Sequence, residues 1–335
     1  MSGIVSDNID RQSGVIAEPS GGAEVRSDDP SASEGTVWFN TTSGVLKVFR
    51  NIAAWSAGGT YPSTHSQMAA TGIISAVIAA GGTDGSNTQS TSYEYNGTAW
   101  ATNIAINTAC AGPSRGGTQT SALIAGGITD YTPTYTSKTE SYNGASWTAE
   151  TAYGGGTRAT MAGCGASETA IVVTVGKTAS GHNYTNATYE YDGTSWSAGG
   201  NSNYTGQGRY GTGVQTAAVF AGGKNAGGYT ATSEEYNGAS HTAGNSMATA
   251  RGYHGVAGTM TDALMFDGDS VTTEIYNGTS YSAGTANDGR VYAGGHGASS
   301  TSAYCVGGQA DGFGSVLNTT KEFAESVTAR TVTDS

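Results

Sequence analysis

Two charged residue types recur along the chain at spacings that could support chemistry. Glutamates at Glu94, Glu140, Glu190, Glu235, Glu274 and Glu322 each fall beside or two residues before an aromatic, and Arg115, Arg158, Arg209, Arg251 and Arg290 recur between them. Carboxylates and guanidinium groups can move protons or hold anions. A residue that returns in every copy of a repeat serves the copy, however, so these are read as charge pairs between neighbouring strands. The one close carboxylate pair outside the repeating set is Asp267 and Asp269 in "FDGDS". Glycoside cleavage needs two facing carboxyl groups, and a turn accounts for this pair equally well. The 5 histidines show no HxH, HxxxH or HExxH spacing, which leaves neither a zinc motif nor the clustered His and Tyr set of a copper oxidase. Cys110, Cys164 and Cys305 lie among small or apolar residues and read as reduced, packed thiols. The chain is read as non-enzymatic, with no metal and no cofactor.

The composition says what must position these residues. There are 53 glycines, 19 tyrosines and 5 prolines, with charged residues at only 12%. Helix formers are scarce, whereas small and β-branched residues and tyrosine between glycines suit short strands and tight turns. The net charge is −12, so a phosphate backbone would be repelled and nucleic acid is not an expected partner. Apolar runs such as "SAVIAA" and "AIVVTV" are strand-sized, too short for a membrane helix, so no membrane insertion is expected. The opening "MSGIVSDNIDR" lacks the basic and apolar segments of a secretory signal.

The phrase "YEYNGTAW" returns as "ESYNGASW", "YEYDGTSW", "EEYNGASH" and "EIYNGTSY". Its aromatic anchors Tyr95, Tyr142, Tyr191, Tyr236, Tyr276 and Phe323 are 40 to 49 residues apart, a period of propellers and repeat arrays. Each unit carries an apolar strand ending in glycine, a variable loop, the Glu/Tyr strand, an Asn-Gly or Asp-Gly hairpin turn with both residues suited to positive φ, and a strand opening on an aromatic. Four antiparallel strands per unit follow. Six such sheets around an axis bury the faces that one alone would expose.

The glycine doublets Gly81-Gly82, Gly126-Gly127, Gly222-Gly223 and Gly307-Gly308, followed by tyrosine and tryptophan, resemble the kelch repeat over roughly residues 60–325. The resemblance implies a kelch-like β-propeller. Departures are Gly176-Lys177 and Asp267-Gly268 in place of the doublet, and His241 and Tyr281 in place of tryptophan. The fold class is all-β: a six-bladed kelch-like β-propeller (60–335) preceded by an extended N-terminal arm (1–34) and a β-hairpin with a blade-closing strand (35–59). The last unit has no tryptophan strand after Phe323, and Trp55 in "NIAAWSAGG" belongs to such a strand with nothing before it. Trp55 therefore completes the blade of Phe323. The rival reading closes that blade with the C-terminal "VTARTVTDS".

Residues 1–34 are polar, acidic and too poor in apolar side chains to fold alone, so Ile4, Val5, Val15 and Ile16 are the expected anchors in a partner's groove or sheet edge. The segments "SGIVSDNIDRQSGVI" and "EGTVWFNTTSGVLKVF" resemble N-termini of tail- and fibre-associated virion proteins of tailed marine phages, cyanophage-like ones in particular. That resemblance implies a virion location on a tail or capsid exterior, in several copies on a symmetric particle, with the arm contacting other virion proteins. The competing classes are a sugar-modifying propeller enzyme and an intracellular kelch adaptor. The long second loops, such as "GITDYTPTYTSK" and "KTASGHNYTNAT", differ from blade to blade, and variable loops on a rigid scaffold commonly carry binding. Their aromatics Tyr131, Tyr135, Tyr184, Tyr229 and Phe313 form the expected ligand face, with a host-surface glycan as ligand.

Overall fold

A computed structural model of the chain describes residues 24–31, 33–130, 134–178, 181–310 and 314–332. Ile4, Val5, Val15 and Ile16 lie outside the described residues. Every regular element among the described residues is a strand, and no helix is long and apolar enough to cross a membrane.

Residues 55–323 form one compact unit, a six-bladed β-propeller. Blade 1 holds Ala69–Ile73, Ala76–Ala80, Ser92–Tyr95 and Trp100–Asn103; blade 2 holds Ser114–Thr118, Ser121–Ala125, Thr139–Tyr142 and Trp147–Ala149. Blade 3 runs Ala162–Ser167, Ala170–Thr174, Thr188–Tyr191 and Trp196–Ala198. Blade 4 runs Tyr210–Val214, Ala217–Ala221, Ser233–Tyr236 and His241–Ala243, with a small hairpin of Lys224–Asn225 and Gly228–Tyr229 inserted. Blade 5 is Gly255–Thr259, Asp262–Phe266, Thr273–Tyr276 and Tyr281–Gly284.

Blade 6 takes Gly294–Ser299 and Ser302–Val306, then the start of the long strand Thr320–Thr331, and its fourth strand is the end of Val45–Ala57. Trp55 thus occupies the outermost strand of the blade that contains Phe323, their rings 5.0 Å apart. Its indole N–H reaches the Thr285 carbonyl of blade 5 at 3.2 Å. Among the described residues, those after Phe323 do not fold back as a fourth strand, because Thr320–Thr331 continues without a turn.

The first strands of the six blades pack against one another around the axis. They can approach because glycine and other small residues dominate them: "AATGI", "SRGGT", "AGCGAS", "YGTGV", "GVAGT" and "GGHGAS". One position is glycine in all six blades, at Gly72, Gly117, Gly165, Gly213, Gly258 and Gly297. A Cβ there would fall 2.0 to 2.3 Å from the carbonyl oxygen of the facing second strand. The second strands, such as Ala217–Ala221, are almost wholly buried and supply the apolar layers between blades.

The repeated Asn-Gly turn differs from the two-residue hairpin the sequence suggests. Asn96 and its counterparts Asn143, Asp192, Asn237 and Asn277 do not take positive φ; only the following glycines do, at 86° to 93°. Each Asn or Asp instead accepts two backbone N–H bonds from two and three residues on, as Asn96 Oδ1 does from Thr98 and Ala99 at 3.0 and 2.9 Å. The loop is four residues long, and an Asx side chain shapes it.

The other compact unit comprises the residues up to Ala54 together with those from Ala324. Glu24–Arg26 pairs in parallel with Val37–Asn40, which pairs antiparallel with Val45–Ala57. Its small core stacks Trp38 on Phe49 at 4.6 Å, beside Val37 and Val48.

Candidate functional site

The recurring glutamates fall into two registers with two different duties. Those immediately before the anchor tyrosine latch one blade to the next. Tyr142 donates to Glu94 at 2.9 Å, Tyr236 to Glu190 at 2.9 Å, Tyr276 to Glu235 at 2.6 Å and Tyr95 to Glu322 at 2.5 Å. In blade 2 that position is Ser141, and Glu150 takes over by accepting from Tyr191 at 3.3 Å and Ser141 at 2.6 Å. In blade 5 the position is Ile275, and the anchor of blade 6 is Phe323, which has no hydroxyl to satisfy.

The second register lies one residue earlier. Glu140 accepts the N–H groups of Asn107 and Thr108, Glu234 accepts that of Asn203, and Glu274 accepts those of Ala248 and Thr249. These carboxylates therefore bond between blades and to backbone, duties that the expected charge pairs between strands do not include. The physical reason is burial: link N–H groups held away from water need acceptors.

The arginines divide likewise. Arg209, Arg251 and Arg290 each donate to two carbonyls at the base of their own blade's second loop: Gly222 and Thr232, Asp267 and Thr272, Gly307 and Thr319. Arg209 also faces Glu234 at 3.2 Å, and Arg251 faces Glu274 at 3.0 Å. Burial alone would raise the Glu234 carboxyl, but His241, Arg209 and Ser202 outweigh it and hold it below the usual range. Arg115 belongs to neither group. Its Nε donates to Ala70 of blade 1 at 2.8 Å and its Nη2 to Gly295 of blade 6 at 2.9 Å. Its guanidinium sits 4.8 Å from the ring centroid of Tyr210 in blade 4. One side chain of blade 2 thus ties three other blades across the axis.

A feature invisible in the side chains lies on the face of the second loops and the interblade links. The N–H of Gly112 donates to Gln67 O, Thr160 to Gly112, Gly208 to Thr160, Tyr253 to Gly208, Tyr292 to Tyr253, and Gln67 back to Tyr292. The six bonds span 2.8 to 3.0 Å and form a closed circle, one residue per blade. All six residues are left-handed, with φ from 52° to 64°, four of them without the freedom of glycine. The rings of Tyr253 and Tyr292 stack 4.3 Å apart beside this circle.

Tyr135 and Tyr184 come from the second loops of blades 2 and 3, both half-buried. The two loops are tied to adjacent residues of one link: Arg158 N–H donates to Thr136 O, and Lys177 bridges both Ala159 and Tyr184. Burial, with nearby Tyr184 adding to it, raises the Tyr135 phenol. Tyr229 lies apart, its ring edge-on to Tyr253 at 6.4 Å under the Lys224 ammonium at 5.2 Å. Tyr131 and Phe313 lie outside the described residues. The second loop is not long in every blade, since that of blade 5 is complete between Asp267 and Thr272.

Asp267 is fully buried, accepting from Asn287 at 3.0 Å and Gly289 N–H at 3.1 Å, and burial raises its carboxyl to about 7. Asp269 is exposed in the turn, so the two do not face a common substrate space. Cys110, Cys164 and Cys305 are free and buried, and burial pushes the Cys110 thiol up to about 12 and the other two higher still. Among the described residues no three His, Cys, Asp or Glu side chains gather as a metal-binding group. No protein-family model matches the chain, and no curated protein matches it.

Proposed function

We propose that the chain is a virion structural protein of a tailed phage. Its N-terminal arm docks on a tail or capsid, and its kelch-like propeller displays a ligand-binding loop face toward the host surface. The observation that carries this reading is the use of the recurring charges. The glutamate–tyrosine latches, the loop-base arginines and the backbone circle all act on the propeller itself, and what varies from blade to blade is the set of second loops. A rigid frame with one variable face suits display better than turnover. The separate unit around Trp38 and Phe49, reached directly from the arm, suits attachment.

Particle location is tested by density-gradient sedimentation of lysates from infected cells, probed for this protein. Co-migration with intact particles supports the reading, and recovery only in the soluble fraction overturns it. Display is tested by Tyr135→Ala with Tyr184→Ala on the particle. Reduced adsorption to host cells at unchanged particle yield is expected; unchanged adsorption removes the glycan-face assignment.

A further inference from the structure

The repeat allows each blade to be compared with the next, and blade 3 lacks a charge. Arg209 in blade 4 and Arg251 in blade 5 are buried, and each faces a glutamate two residues before the anchor tyrosine: Glu234 and Glu274. In blade 3 the buried arginine is Arg158, 6% exposed, and the corresponding residue is Tyr189. Among the described residues no carboxylate pairs with Arg158, and its Nε and Nη1 have no hydrogen-bond partner. The guanidinium lies instead between two aromatic faces, 5.6 Å from the centroids of both Tyr153 and Tyr189. Two aromatic faces offer attraction but accept no N–H bond in the plane of the fork. A buried guanidinium with two idle donors carries a large desolvation cost.

Besides the two rings, backbone packs against Arg158. The link from blade 2 crosses it as Gly154-Gly155-Gly156, with Gly154 and Gly156 exposed. A Cβ on Gly155 would lie 2.8 Å from Arg158 Cζ and 2.5 Å from the Tyr153 ring, whereas one on Gly156 would meet nothing within 4 Å. Gly155 thus lies directly on the guanidinium, Gly156 borders open space, and Gly154 packs toward Trp196 and the Tyr189 ring. Tyr135 and Tyr184 stand on loops pinned to residues 158 and 159.

We propose that Arg158 is the seat for a carboxylate-bearing sugar, whose acid group takes the place that Glu234 and Glu274 fill in blades 4 and 5. The triple glycine moves aside to admit the carboxylate, Arg158 binds it through an unpartnered N–H, and the sugar ring rests against Tyr135 and Tyr184. This rests on the glycan-face reading and names the sugar class within it.

The test titrates the full chain with methyl β-D-glucuronide and with methyl β-D-glucoside, which differ only in carboxylate against hydroxymethyl, by ligand-observed NMR. The glucuronide is expected to bind at least tenfold more tightly, and Arg158→Gln is expected to abolish the difference. Tyr189→Glu places in blade 3 the acid that blades 4 and 5 already have; it is expected to fold and to lose glucuronide binding, which keeps the test open if Arg158→Gln does not fold. Glucuronide binding that survives Tyr189→Glu overturns the seat. Equal binding of the two glycosides, unchanged by Arg158→Gln, overturns it while leaving a glycan face in place. No glucuronide binding at all also overturns it, and adsorption of the Tyr135 and Tyr184 variant then decides the broader reading separately.

Discussion

Tyr236 and Glu190 show what one recurring residue contributes. The phenol is buried, and its hydroxyl meets a carboxylate of the preceding blade at 2.9 Å. A hydrogen bond to a charged group contributes about 1.5–3 kcal/mol, so Tyr236→Phe should lower the unfolding free energy by about that much, read from urea denaturation. Exchanging both partners at the blade 5–6 seam, Ile275→Glu with Phe323→Tyr, should cost less than either change alone. The latches also carry a pH signature. Burial raises the phenols of Tyr95, Tyr142, Tyr191, Tyr236 and Tyr276, that of Tyr191 to about 12. An unfolded tyrosine titrates near 10. The folded state holds these protons more tightly, so their stabilisation is complete below about pH 10 and is lost as pH rises toward 12 and beyond. Thermal melts from pH 8 to 12 should stay level to about pH 10 and then fall steeply. A decline that begins well below pH 10 contradicts the latch.

At the scale of the strand, the glycine common to all six first strands is the most restrictive position. Gly213 combines a φ of 112° with a Cβ site 2.3 Å from the Ala217 carbonyl. Gly213→Ala must strain the backbone or separate two paired strands, at a cost of about 1–3 kcal/mol or more, which differential scanning calorimetry would resolve. The strand pattern was legible in the sequence because period, turn residues and apolar runs all point to four-stranded units. The two glutamate registers were not, because Glu140 and Glu274 align with Glu94 only until one counts from the tyrosine. The backbone circle could not be read at all: Gln67, Gly112, Thr160, Gly208, Tyr253 and Tyr292 share no side-chain chemistry, since their common act is done by peptide groups. The idle donors of Arg158 become visible only when Tyr189 is seen standing where other blades place glutamate.

For the propeller as a whole, closure depends on a strand from the other end of the chain. Trp55 packs between Phe323 and Phe266 at 5.0 Å from each, and Gly58 N–H bonds Thr320 O at 3.0 Å. Trp55→Ala removes the aromatic from that seam and should cost about 3 kcal/mol, with a single cooperative transition retained at a lower midpoint. A separate early transition confined to blade 6 would show that the seam is not part of the cooperative unit. The circle of six peptides has a consequence of its own for proton traffic with solvent. Each of its N–H groups is released only when its neighbour's carbonyl swings away, and displacing one residue disturbs the acceptor of the next. Local fraying, which lets most surface amides trade hydrogen for deuterium, cannot open one bond of a closed circle alone. The amides of Gln67, Gly112, Thr160, Gly208, Tyr253 and Tyr292 should therefore exchange together, at the rate of global unfolding, although they sit in links and not in strands.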